Sequence, residues 1–203
     1  MSIAIIDYDA GNIHSVENAL HSLGHETLVT SRPEEILSAD RVILPGVGAF
    51  GSAMDRLRAR GLEEAIHETV KKGTPFLGIC LGLQLMFASS EEDPGAEGLS
   101  LLPGRILRIP QTEGLKIPHM GWNSIDVTPG SRLLAGLPDQ PYVYFVHSYY
   151  LRADDAADVA ARTYYGCEIH AAVEHENVFA AQFHPEKSSA VGMKILENFC
   201  RLD

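Results

Sequence analysis

Only three cysteines occur in 203 residues, Cys80, Cys167 and Cys200, and no two stand in C-x-x-C spacing. An odd, scattered set excludes a disulfide framework and a zinc finger. Basic residues are scarce as well: 16 Lys and Arg stand against 27 Asp and Glu, for a net charge of −11. Nucleic-acid binding needs a basic face. The densest basic group, Arg56, Arg58 and Arg60, is interleaved with apolar and small residues and forms no stripe. No nucleic-acid partner is expected. Long apolar runs are also missing. The first, over 3–6, stops at Asp7 and has no basic segment before it, unlike a signal peptide. Residues 73–90 carry no charge but include Thr74, Pro75, three glycines and Gln84. That mixture suits a buried strand, a tight turn and a helix better than a bilayer span. These absences predict a cytoplasmic protein with no membrane partner. What is present, 45% hydrophobic and 21% charged residues, reads as globular. At this length a single domain over 1–203 can bury roughly 70% of its unfolded surface without disulfides or metal.

The first half alternates in pattern. A strand is predicted at 3–8. A helix follows at 12–23, with Ile13, Val16, Ala19, Leu20 and Leu23 on one side and Gly24 closing it. Strands are predicted at 26–30 and 41–44, a helix at 49–72 interrupted at Gly61, a strand at 75–79 and a helix at 83–88. Such alternation implies parallel βαβ units. The second half reads as strands at 105–109, 122–127, 142–148, 157–163, 169–174 and 178–183, then a helix at 189–201. The acidic stretch 91–98 reads as a solvated loop. The expected fold is α/β, with a mixed central sheet flanked by helices.

The sharpest motif is Gly78-Ile79-Cys80-Leu81-Gly82, between an apolar strand and a helix. It is a G-x-nucleophile-x-G elbow with Cys as the nucleophile. A helix N-terminus there favours the thiolate, and the Leu81 N–H would point where an oxyanion forms. A buried, inert cysteine is the plainer reading of the elbow alone. The second motif, Gln182-Phe183-His184-Pro185-Glu186, supplies what a thiol nucleophile needs. His184 serves as base and Glu186 orients it, since residues two apart in an extended segment share a side. The third, Pro45-Gly46-Val47-Gly48-Ala49-Phe50-Gly51, contains G-x-G-x-x-G. It follows the third strand, and no acidic residue closes a strand about 20 positions on, so a dinucleotide site is disfavoured. A glycine-rich oxyanion loop fits better. Of nine histidines, only His184 lies in a chemical motif; His14, His21, His25 and His67 read as surface or boundary residues.

Together these motifs resemble the class I (triad) glutamine amidotransferases, through GICLGLQ at 78–84 and QFHPEKS at 182–188, and the resemblance covers essentially the whole chain. The segments IIDYDAGN, LPGVGAFG, PHMGWN and VHSYY are similar to the glutaminase subunits of imidazole glycerol phosphate synthases within that family. The resemblance implies a flavodoxin-like single domain with no cofactor and no metal. It implies that Cys80 attacks the side-chain amide of L-glutamine. His184 protonates the leaving ammonia and then activates water against the γ-glutamyl thioester, and Glu186 orients His184. It places the oxyanion hole at the Val47 and Leu81 N–H groups, and glutamine at Gly48, Gln84, Ser148 and Tyr149. Ammonia would pass to a separate (β/α)8-barrel cyclase in a heterodimer. That subunit makes imidazole glycerol phosphate and an aminoimidazole carboxamide ribonucleotide in histidine biosynthesis. Asn12, Trp122, Asn123 and Lys187 match positions near that interface. Asp9 stands where the family usually has Gly, and Leu83 where it often has Met. Glycines on both sides of Val47 make a peptide flip cheap, so the 46–48 loop is the expected switch for partner activation. The competing readings are another synthase's glutaminase, a self-sufficient γ-glutamyl hydrolase, and a degenerate binding module. PHMGWN and the intact Cys80, His184 and Glu186 argue against them.

Overall fold

The computed structural model describes residues 2–9 and 11–202. Ala10, within the IIDYDAGN segment, lies outside the described residues. In the first half β1 (Ile3–Ile6), α1 (Ile13–Ser22), β2 (Thr27–Thr30), α2 (Pro33–Ser38), β3 (Arg41–Leu44), α3 (Phe50–Ala59), α4 (Leu62–Lys71), β4 (Phe76–Ile79) and α5 (Leu81–Leu85) follow one another. The second half holds β5 (Gly104–Arg108), β6 (His119–Ser124), β7 (Asp126–Val127), β8 (Tyr142–His147), β9 (Tyr149–Ala153), β10 (Val159–Tyr164), β11 (Glu168–His175) and β12 (Val178–Ala181). Helix α6 (Ser189–Arg201) ends it.

Eight strands form the central sheet in the order β2-β1-β3-β4-β12-β11-β10-β7. The first five run parallel and the last three antiparallel, so the sheet is mixed, as the sequence implied. Strand parity divides the core. Ile3, Ile5, Ile43, Leu77, Ile79 and Phe179 pack with α1 and α6. Ala4, Ile6, Val42, Leu44, Phe76 and Ala180 pack with α2 to α5. Both faces are covered, which is why these strands read as unbroken apolar runs.

Several boundaries differ from expectation for identifiable reasons, and one does not. Gly61 in the left-handed region (φ 64°) splits the long helix at the expected place. Helix α5 starts at Leu81 and stops at Leu85, whereas a helix was expected over 83–88. The carbonyls of Leu85, Met86 and Ala88 accept from Leu99, Leu101 and Gly98 N–H at 2.7–2.9 Å, so no further helical turn can use them. The expected strand over 122–127 is two strands: β6 pairs with β8, and β7 joins the main sheet across the buried Ile125. The strand expected over 142–148 continues past Ser148 as β9, which pairs with β5. Helix α2 had local signals, Pro33 in the first turn with Glu34 and Glu35 behind it.

Candidate active site

The chain turns directly from β4 into α5, and Cys80 sits on the turn with φ 56° and ψ −108°. Such a backbone costs a non-glycine residue on the order of 1–3 kcal/mol. The flanking glycines are required by close approach. A Cβ on Gly82 would overlap the Leu44 carbonyl, and one on Gly78 would overlap Met86 Sδ. Helix α5 has five residues, too few to develop the full terminal charge of a longer helix.

Strand β12 lies beside β4 with Ala181 opposite Ile79, so the 182–186 segment leaves the sheet at the same edge as the elbow. The His184 backbone N–H donates to the Tyr144 carbonyl at 2.9 Å. Ser188 Oγ donates to the His184 carbonyl at 2.6 Å. Residues Pro185–Lys187 then form a 3-10 turn, where an extended H-x-E was expected. The turn folds Glu186 back, and His184 Nδ1–H donates to its Oε1 at 2.7 Å, both side chains fully buried. Asn12 Nδ2 donates to the same oxygen at 2.6 Å. His184 Nε2 and Glu186 Oε2 are buried without a hydrogen-bond partner among the described residues. Burial alone would lower the His184 pKa; the Cys80 side chain, then Glu186, outweigh it and raise the value to about 9. His184 is therefore built to carry a proton.

A cleft of about 330 Å³ opens over Cys80, within the usual size range for small-ligand sites. Val47, Gly48, Leu81, Gln84, Ser148 and Tyr149, all singled out from sequence, line it. One expectation needs correction. The Leu81 N–H does not point freely at an oxyanion position, because it donates to the Gly46 carbonyl at 3.3 Å. Gly48, at φ 112°, sits on the loop that sets this carbonyl. The base of the loop is pinned by Tyr8, whose buried hydroxyl donates to the Pro45 carbonyl at 2.9 Å.

Four cleft residues were not named as site residues, Glu92, Pro118, Val146 and His147, although the last three lie in the PHMGWN and VHSYY segments. Glu92, in the acidic stretch taken for a solvated loop, lines the cleft and accepts the Phe50 N–H of α3 at 2.8 Å. His147 also lines it, as a lone histidine ending an apolar strand. Burial lowers the His147 pKa to about 3 and that of its neighbour His119 to about 4, so both are neutral. The tautomers follow from the partners. His147 Nδ1–H must donate to the Tyr149 carbonyl at 2.9 Å, so His147 Nε2 accepts from His119 Nδ1–H at 3.0 Å.

The residues matched to the partner interface are not one cluster. Trp122 is 51% exposed on the outer face of β6, beside exposed Met120 and Tyr142. Lys187 is exposed on the 3-10 turn. Asn123 is half-buried and donates to the Tyr164 carbonyl at 3.1 Å. Asn12 instead reaches Glu186. Asp9 takes the left-handed conformation (φ 62°) that a glycine there would adopt freely. Arg60 pairs with its carboxylate at 2.5 Å, and Arg56 donates to its carbonyl at 2.8 Å. Among the described residues no cluster of three or more His, Cys, Asp or Glu could hold a metal ion. No helix among them is long and apolar enough to cross a membrane.

A strained cysteine elbow and a glycine-rich loop line one cleft, and a buried His–Glu pair leaves the adjacent strand at the same sheet edge. The family model for glutamine amidotransferase class-I matches residues 4–202. The chain belongs to that family. Among its relatives, the imidazole glycerol phosphate synthase subunit HisH of Methanothermobacter thermautotrophicus is 52% identical over 201 residues, covering 98% of each chain. The subunit HisH of Syntrophotalea carbinolica is 50% identical over 202 residues, covering 97% of this chain and 98% of its own. A crystal structure of a glutamine amidotransferase superposes with TM-score 0.76 at 20% identity, covering 97% of this chain and 98% of its own. The structure of PurLQS from Thermotoga maritima gives TM-score 0.75 at 20% identity, covering 98% and 97%. These two share the fold.

Proposed function

We propose that this chain is the glutaminase subunit of an imidazole glycerol phosphate synthase, hydrolysing L-glutamine and passing ammonia to a cyclase subunit. The observation that carries this is Cys80 on its strained turn at the cleft, with the buried His184–Glu186 pair leaving the neighbouring strand at the same sheet edge. Cys80 Sγ attacks the γ-carboxamide carbon. His184 gives its proton to the departing nitrogen, and ammonia leaves. The γ-glutamyl thioester is then attacked by water whose proton His184 takes, releasing glutamate and the thiol. Glu186 holds the imidazole by its Nδ1–H throughout. Gln84, Ser148 and Tyr149 line the space for the glutamine chain, and Glu92 offers a carboxylate to its α-ammonium.

The oxyanion donors are the backbone N–H groups of Val47 and Leu81. With Leu81 N–H held by the Gly46 carbonyl, the hole is closed in this state. A flip of the Gly46–Val47 peptide, driven by the partner, turns that carbonyl away, brings the Val47 N–H toward the cleft and opens it. The partner is a (β/α)8-barrel cyclase forming a heterodimer through the exposed Met120, Trp122 and Tyr142 face of the β6–β8 ribbon. Lys187 is exposed on the 3-10 turn that follows His184, whereas Asn12 and Asn123 are held by Glu186 and the Tyr164 carbonyl. Three unpaired cysteines fit a cytoplasmic setting.

The test measures ammonia release from L-glutamine with the cyclase subunit and its nucleotide, for wild type and Cys80→Ala. Loss of release in the variant, with free ammonium still driving cyclisation, supports the whole reading. Equal release from both rejects Cys80 as nucleophile.

A further inference from the structure

The parallel register that brings His184 to the elbow also brings a second side chain there. Ala181 pairs with Ile79, and the Cys80 N–H donates to the Ala181 carbonyl at 2.8 Å. The next residue after each strand therefore lies side by side: Gln182 next to Cys80. Gln182 is fully buried. A buried primary amide has two ends, and its neighbours decide which faces which. Gln84 Nε2 donates to Gln182 Oε1 at 3.0 Å. That assigns the Gln182 oxygen to Gln84 and leaves its Nε2 toward Cys80 Sγ, at 3.8 Å.

Gln84 is itself fixed. Its second amide hydrogen goes to the Tyr149 carbonyl at 3.0 Å. That carbonyl also accepts from His147 Nδ1–H, and His147 from His119, so the direction of every bond in the chain is determined. Nothing in it can reverse without leaving two donors or two acceptors face to face. Besides His184, the sulfur also has the Val146 carbonyl at 4.0 Å, an acceptor that suits a thiol proton but not a thiolate.

We propose that Gln182 is a positioning residue for the Cys80 thiolate: its amide, oriented by Gln84, holds an N–H donor on the sulfur on the side away from solvent. The donor bonds the protonated thiol weakly and strengthens once the proton has gone to His184. It also holds the sulfur on its attack line as glutamine enters. This rests on Cys80 being the nucleophile, as proposed above.

The test is alkylation of the full chain by iodoacetamide from pH 5 to 10, with Cys80 and Cys167 modification followed separately by peptide mass spectrometry. Gln182→Glu keeps the shape and the acceptor for Gln84 but puts an oxygen against the sulfur. Gln182→Met removes both bonds. A second approach, Gln84→Met, leaves Gln182 in place but frees its amide to turn. A hydrogen bond to a charged acceptor is worth about a factor of ten or more. The expected result is Cys80 alkylation at pH 7 about tenfold slower in each variant. The pH of half-maximal rate rises by about one unit, the plateau at high pH is unchanged, and Cys167 is unaffected. A merely structural role would lower the melting temperature and leave that pH midpoint in place. Midpoints equal to wild type in Gln182→Glu and Gln84→Met overturn the proposal. Failure of the underlying reading looks different: glutamine would not protect Cys80 of the wild type, and Cys80→Ala would still release ammonia.

Discussion

Asn12 Nδ2 lies 2.6 Å from Glu186 Oε1, the same oxygen that accepts the His184 Nδ1–H. The two residues are 174 positions apart. Asn12 stands in the left-handed conformation at the head of α1, so a backbone turn in the first loop positions the carboxylate that orients the histidine. Hydrogen bonds to charged groups contribute about 1.5–3 kcal/mol. Asn12→Ala is predicted to lower kcat about tenfold with KM for glutamine changed less than about threefold. Asn12→Asp sets a like charge on Glu186 and should do worse. Steady-state glutaminase assays in the complex decide it; a change confined to KM would contradict the arrangement.

The raised pKa of His184 has a sign that can be checked. Its folded value of about 9 stands above the ordinary 6.5. The imidazolium therefore contributes stability that is fully present below pH 6.5 and is lost as pH rises through 9. The difference in unfolding free energy between wild type and His184→Asn should shrink across that window. Denaturant titrations at pH 6, 7.5 and 9.5 measure it. A difference that grows with pH would mean that the histidine is held neutral.

A Cβ at Gly48 would meet open space, but the backbone there has a φ of 112°. Alanine fits sterically and strains the backbone on the order of 1–2 kcal/mol. Gly48→Ala should remove most of the stimulation of glutaminase by the cyclase and its nucleotide, while the fold persists by circular dichroism. Full stimulation in the variant would remove the loop from the switch.

Trp122 is half in solvent and supports little of the core. Trp122→Ala should leave the melting temperature of the isolated chain within about 2 °C and weaken the complex by about 2 kcal/mol, roughly thirtyfold in Kd. Calorimetric titration with the cyclase subunit tests both halves. A large loss of melting temperature with unchanged affinity would place Trp122 in the core of the ribbon and not at its interface.

Glu92 gives a further readout. Glu92→Gln keeps an oxygen for the Phe50 N–H and removes the charge in the cleft. KM for glutamine should rise about tenfold or more with kcat changed little, since a charged partner contributes about 1.5–3 kcal/mol to binding. An unchanged KM would separate Glu92 from the α-ammonium.

What could be read directly from the chain is what neighbours in sequence decide. Apolar runs at 3–6, 41–44 and 76–79 marked strands covered on both faces, and Gly61 marked a helix break at the right residue. The G-x-C-x-G elbow was legible because its strain and its glycines lie within five residues. The pairing of His184 with Glu186 was legible too, although a 3-10 turn makes it where an extended segment was expected. Tertiary structure decided the rest. No local pattern announces that β12 inserts beside β4, yet that register sets both His184 and Gln182 against Cys80. The chain changes sheets at Ile125 and Ser148, and both changes depend on partner strands far away in sequence. Glu92 entered the cleft from an acidic stretch read as a solvated loop, and His147 from the VHSYY segment, where it was given no role. The Leu81 N–H was taken by a carbonyl of another loop. Local sequence sets backbone preference and which residue types are present; which donor meets which acceptor is a property of distance in the folded chain.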